Sequence, residues 1–268
     1  MSWSAVKTHG IVLAVTPTRE ADRSYAVLTE EHGKLRLLGR GAQKAKAKLA
    51  SHLEPFAVVD LDIIRGRRAI TVISVERTES FPSIAKNLEK RLLAQAVLSF
   101  LNRYTQEEDP DPALYALLHD WMSFLESLDG VKQTRATFLL GGFLLRLMAH
   151  GGYTTQLSHC VSCKEEILPL SYRWHGGRGG LVCTNCTQLH REEYFAARTM
   201  PEEVITMLRL AREGALGDLL RPALKGASVE SYAQAVHDLV AHHLPGRYDR
   251  PFWEAILVEY EVAEELNT

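Results

Sequence analysis

In residues 6–78 the apolar side chains come in short, β-branched runs separated by turn residues, a pattern that predicts five strands. Residues 6–15 and 25–29 are the first two runs, and residues 34–38 alternate basic with apolar side chains. Residues 56–64 alternate in part, with Asp60 and Asp62 flanking Leu61, and residues 69–75 are rich in Ile and Val. Glu31-His32-Gly33 reads as the turn before the third strand and Arg65-Gly66-Arg67 as the turn joining the last two. Five short strands in so small a segment predict a barrel, because closure removes the exposed edges. The Ala- and Lys-rich residues 39–53 read as either helix or loop, and an OB-fold, the five-stranded Greek-key barrel, often carries a helix there.

After Phe81-Pro82 the period lengthens. Ser83 is placed to cap a helix over 84–104, with Leu88, Leu92, Ala96 and Phe100 on one face. Asp109-Pro110-Asp111-Pro112 reads as a turn and the start of a second helix, with Pro112 in its first position and core-spaced residues from Leu114 to Leu128. Residues 131–149 form a third, apolar nearly all round apart from Arg146 and therefore central, with Gly151-Gly152 ending it. Thr199-Met200-Pro201-Glu202 fits a capping box for a helix ending near Gly214; Ser228 opens another that closes at His243, and residues 251–266 look like a last one. The fold class is α+β: a five-stranded OB-type barrel over 1–80, then an α-helical domain over 81–268 into which a cysteine-bearing element, about 156–190, is inserted.

That element carries the most specific chemistry in the chain. Cys160-Val161-Ser162-Cys163 is followed after 19 residues by Cys183-Thr184-Asn185-Cys186, and these are the chain's four cysteines. Two such pairs close a tetrahedral four-sulfur shell around zinc, with no open position for water or substrate, so the ion is expected to be structural. Disulfides would need an oxidising compartment, and the N-terminus lacks a signal-peptide run. A redox dithiol explains one pair and not two. His159, His175 and His190 lie near enough to replace a sulfur, but four thiols suffice.

Charge changes the picture only when divided along the chain. The formal net charge is -2, yet residues 1–80 hold 13 Lys and Arg against 9 Asp and Glu, leaving 18 against 24 for the rest. The excess collects at Lys34, Arg36 and Arg40, followed by Lys44, Lys46 and Lys48, with Arg65 and Arg67 at the adjacent hairpin. Strand alternation turns Lys34 and Arg36 to one side and Leu35 and Leu37 to the core, so the row matches phosphates as charge and carries no base code. On charge alone, an ordinary solvated face is the competing explanation. Asp60 and Asp62 offer a carboxylate pair, which is more often the solvent side of a half-buried strand than a metal site. No phosphate-binding loop, HExxH, GxSxG or dinucleotide fingerprint occurs, so the chain is expected not to be an enzyme. No apolar run approaches a membrane span, and a cytoplasmic, nucleoid-associated protein without membrane partners is expected.

Over nearly its full length the chain resembles the bacterial RecO family of recombination mediators. The likeness is carried by Gly33-Lys34-Leu35-Arg36-Leu37-Leu38-Gly39-Arg40-Gly41, by Pro55-Phe56-Ala57-Val58-Val59-Asp60-Leu61, and by Gly152-Tyr153-Thr154-Thr155-Gln156-Leu157-Ser158-His159-Cys160. Family members often carry proline where Thr155 stands and glycine where Lys164 stands, and some lack the cysteines, which makes the metal a support of the fold. The resemblance implies an N-terminal OB-fold and a zinc-bearing helical domain. It implies binding of single- and double-stranded DNA, annealing of complementary strands, and promotion with RecR of RecA loading onto DNA coated with single-strand-binding protein. It maps DNA contacts onto Lys34, Arg36 and Arg40, then Lys44, Lys46 and Lys48, and docks the tail of single-strand-binding protein on the helical domain. A zinc-ribbon adaptor that binds protein and not DNA is the rival of a different class.

Overall fold

The computed structural model describes residues 5–18, 21–43 and 49–244. Lys44, Lys46, Lys48 and the helix expected over 251–266 lie outside the described residues. The chain divides into two compact units, residues 1–130 and 131–268.

In the first unit five strands close into a barrel of order β1-β2-β3-β5-β4, with β1 Ala5–Pro17, β2 Arg23–Thr29, β3 Gly33–Gly39, β4 Val58–Arg65 and β5 Ile70–Glu79. β1 is long enough to pair with both β2 and β4, and a bulge between Val12 and Ala14 bends it between them. β3 and β5 run parallel and close the barrel through Leu37 opposite Ile70 and Leu38 opposite Thr71. This is the expected OB-fold. The inward positions alternate as the sequence requires: Leu35 and Leu37 of β3 and Val59, Leu61 and Ile63 of β4 are buried with Val12, Tyr25, Val27 and Val72. Ala42 and Leu53, from the β3–β4 connection, join the same core.

The compact unit runs past the end of the strands to Gly130, whereas the boundary expected from sequence lies at residue 80, where the residue period changes. Of the helices that follow, α2 Leu88–Tyr104 packs against β1 and α3 Pro112–Ser127 against β2, while α1 Pro82–Lys86 packs against these two helices. The single helix expected over 84–104 is broken at Asn87, whose backbone is extended and whose side-chain oxygen accepts from the Lys90 N–H at 2.9 Å. An Asn that caps a following turn competes with helix continuation. Ser83 does not cap: Pro82 occupies the first turn, and the Glu126 carboxylate of α3 accepts from the Ser83 and Ile84 N–H groups at 2.8 and 2.9 Å. Asp111 does cap α3, accepting from the Leu114 N–H at 2.9 Å.

In the second unit α4 Gln133–His150 is buried along most of its length and packs with α6 Glu202–Glu213 and α7 Gly226–His243. Arg146, the charge inside the apolar run, donates to the carbonyls of Ala211 at 3.1 Å and Gly214 at 2.6 Å, meeting the negative end of α6. The capping box expected at Thr199 does not form, because Pro201 is the N-cap and makes no side-chain bond. Between α4 and α6 lie the hairpin β6 Tyr172–His175 and β7 Gly180–Cys183 and the short α5 Thr184–Leu189. Arg209 and Arg212 of α6 donate to the carbonyls of Leu157 and Thr155, tethering the segment that leads into the first cysteine pair. No described helix is long and apolar enough to cross a membrane.

Candidate nucleic-acid interface and metal centre

The four cysteine sulfurs lie within 4.8 Å of one another, with Cys163 Sγ and Cys183 Sγ 3.9 Å apart and all four thiols free. A tetrahedral ion with metal–sulfur bonds of about 2.3 Å separates its sulfurs by about 3.8 Å, so the quartet fits such an ion and is too open for disulfides. Among the described residues this is the one group of His, Cys, Asp and Glu side chains that can hold a metal; the nearby histidines take no part. Local backbone builds each half. Cys160 starts a tight turn in which Lys164 N–H donates to the Cys160 carbonyl at 3.0 Å, while Cys183 stands at the N-terminus of α5, its sulfur accepting from Cys186 N–H. Burial raises the Cys160 thiol pKa, but N–H groups of Cys183, Cys163 and Ser162 directed at the sulfur outweigh it and bring the thiol to about 7. Burial and the other sulfurs push Cys183 up to about 12, an opposition that a bound cation relieves.

Closing the first knuckle places Lys164 in the left-handed region, at φ 67°. A side chain there costs about 1–2 kcal/mol that glycine avoids. Lys164→Gly is expected to stabilise the metal-loaded protein by about 1 kcal/mol in urea unfolding, less whatever the Lys164 Nζ bond to the Val161 carbonyl contributes.

The basic residues sort differently from their row in the sequence. Lys34 and Arg36 do share one side of β3, but Lys34 is 6% exposed and its ammonium donates to the carbonyls of Asn102 and Thr105, both at 2.6 Å. These carbonyls end α2, so the buried charge sits at the negative pole of that helix. Burial holds its pKa below the usual lysine range, with Glu107 drawing it back up and Arg36 lowering it further. Lys34, expected from sequence to touch DNA, is instead a strut between strand and helix: the end of α2 covers its strand face.

Arg36, Arg40, Arg65 and Arg67 are exposed. The β3–β5 register sets the residues before Ile70 alongside Arg36, and the segment joining α2 to α3 lies at the same place. Glu107 bridges to Lys34, Glu108 N–H donates to the Lys34 carbonyl at 2.9 Å, and Asp109 sits so close to Gly33 that an added Cβ would lie 2.1 Å from its carbonyl oxygen. Gly33 also has φ 66°, so both conformation and space demand glycine. From this segment the Glu107 carboxylate pairs with Arg36 at 2.8 Å and Glu108 with Arg65 at 2.5 Å. Arg36 and Glu107 are 62% and 48% exposed, and such pairs contribute only about 0.2–1 kcal/mol. The sequence reading missed both acids, taking only the neighbouring Asp109-Pro110-Asp111-Pro112 as a turn; the acidic run after the first long helix was the available signal.

Another part of the barrel carries opposite charge. A cleft of about 390 Å³ is lined by Glu30, Glu31, Asp60, Asp62 and Glu76, with Lys7 and His9. Asp60 pairs with His9 at 2.6 Å and Asp62 accepts from Ser74 Oγ at 2.6 Å, so the carboxylate pair noted in the sequence is held by neighbouring side chains. The acidic lining of this cleft disfavours phosphate there.

The fold and the site define a class by architecture: a five-stranded OB-type barrel followed by helices that carry a four-cysteine knuckle. Two sequence profiles place this chain within it: one described as Recombination protein O N terminal matches residues 1–81, and one described as Recombination protein O C terminal matches residues 85–250. The chain belongs to the recombination protein O family, proteins of DNA repair and recombination. It is 28% identical to the DNA repair protein RecO of Desulforudis audaxviator over 239 residues, covering 89% of this chain and 91% of that one. It is 30% identical to that of Dehalococcoides mccartyi over 180 residues, covering 67% and 69%, and 35% identical to that of Frankia casuarinae over 182 residues, covering 67% and 72%.

Proposed function

We propose that this chain is a non-catalytic recombination mediator that binds single- and double-stranded DNA through the arginine face of its barrel and anneals complementary strands. The observation that supports the reading is that exposed Arg36 of β3 and Arg65 of β4, far apart in sequence, meet the adjacent carboxylates Glu107 and Glu108, with exposed Arg40 and Arg67 following in the same stretches of chain. Two strands repel through their phosphates; a cationic surface that binds both lowers that repulsion and holds them near enough to nucleate pairing. Lys44, Lys46 and Lys48, in the connection after Arg40, extend the contact. The ion held by Cys160, Cys163, Cys183 and Cys186 is zinc, and it maintains the helical unit.

In this reading the chain works with RecR, docks the C-terminal tail of single-strand-binding protein on the helical unit, and allows RecA to load on the uncovered strand. It acts in the cytoplasm on nucleoid DNA. The test is annealing of complementary oligonucleotides coated with single-strand-binding protein. The wild type should accelerate annealing and lose the effect steeply as salt rises, while Arg36→Ala with Arg40→Ala lowers DNA affinity about tenfold or more without shifting the melting temperature. Equal annealing by that variant at moderate salt counts decisively against the proposal.

The adaptor reading has one observation in its favour: Leu168, Leu170 and Leu189 of the cysteine-bearing element, and Phe195 just after it, are exposed apolar side chains. A gel shift with a single-stranded oligonucleotide separates the two, since a pure adaptor gives no shifted band.

A further inference from the structure

We infer that Glu107 and Glu108 are built-in competitors for the phosphates that Arg36 and Arg65 bind, so that the barrel holds a continuous polyanion and turns away isolated phosphate. This rests on the proposed DNA-binding role of the arginine face and adds its regulation.

The backbone of the segment is fixed without help from the two carboxylates. Lys34 ties down Asn102 and Thr105, Glu108 N–H bonds to the Lys34 carbonyl, and Asp109 lies against Gly33. The carboxylates are therefore not needed to hold the loop; what they touch is Arg36 and Arg65. Being tethered, they face the guanidinium groups at a high effective concentration that a single free phosphate cannot match. Being half-exposed, they can rotate into solvent when a ligand offers more. A strand of linked phosphates displaces both and continues along Arg40, so the competition is overcome by length of contact. The same displacement gives a route to release: once the strand is shortened or taken up elsewhere, the carboxylates return to the arginines.

The test is a double-mutant cycle on the full chain, with fluorescent single-stranded oligonucleotide and inorganic phosphate as probes. Glu107→Gln with Glu108→Gln preserves side-chain volume and is checked by thermal melting. The paired variant should bind the oligonucleotide about three- to tenfold more tightly at low salt and be inhibited by inorganic phosphate at lower concentration than the wild type. Both gains should vanish when Arg36→Ala and Arg65→Ala are added. Unchanged affinity overturns the inference, as does a gain that persists undiminished without the arginines, which would reflect overall charge alone. A wild type that shows no salt-sensitive binding overturns the DNA-binding reading and this inference together; binding that is weakened by the arginine variants but indifferent to the glutamates overturns the inference alone.

Discussion

Serine at Cys160 and Cys163 is expected to abolish metal binding and to destabilise the helical unit by about 3–5 kcal/mol. The sulfurs sit in a small buried cluster with Val182 and Tyr194, while Leu157, Trp174 and Leu181 of the same element are buried and Leu168, Leu170 and Leu189 face solvent. Without a cation the four thiols hold the two cysteine turns together by no covalent bond of their own. Metal ligation at such sites is worth about 10–16 kcal/mol in zinc-finger peptides and counts there as folding free energy, so its loss is expected to fall on the fold. A loss of 3–5 kcal/mol corresponds to a fall of about 10 °C or more in melting temperature for a unit of this size. Metal content of the purified protein, followed by melting with and without chelator, decides the matter. A wild type that carries no zinc and melts identically in chelator would remove the metal from the account.

Lys34→Met is expected to cost about 2–4 kcal/mol, while Arg36→Ala, two residues along the same strand, costs under about 1 kcal/mol. Methionine keeps most of the buried aliphatic stem but leaves the Asn102 and Thr105 carbonyls without their cation, and losing one side of a buried, charge-assisted contact carries the full desolvation penalty. Arg36 loses only a solvent-exposed pair with Glu107. On DNA the order should reverse: the arginine variant binds weakly at full stability, and the methionine variant binds normally in whatever fraction remains folded. Urea unfolding set beside oligonucleotide titration separates them. If Lys34→Met keeps its stability and loses DNA affinity, the lysine is a phosphate ligand and the strut assignment fails.

These two residues mark how far the sequence could be read. Alternation along β3 correctly sends Leu35 and Leu37 into the core and Lys34 and Arg36 to the other side, because strand geometry is local. What covers that side arrives from the end of α2, about 70 residues later, and no periodicity carries the information. The cysteines were legible for the opposite reason: each pair sits in one tight turn, so spacing alone fixes much of the geometry. Helix boundaries failed where side chains competed with the expected caps. Asn87 captured the N–H of Lys90 and broke a helix that its apolar spacing would have continued, and Glu126, from α3, displaced Ser83 as the cap of α1.

Closure of the strand ladder between β3 and β5 rests on two residue pairs, and the other end of β3 is bridged by Glu107 from the interhelical segment. The barrel is therefore expected to lean on the helical segment that follows it. A fragment cut after residue 81, where the N-terminal profile stops, keeps every strand yet exposes the free edge of β3 at Lys34 and strands its ammonium without the α2 carbonyls. Excision at Gly130 carries the whole lock along with the strands, and that is the piece from which grafts and chimaeras of this architecture should be made.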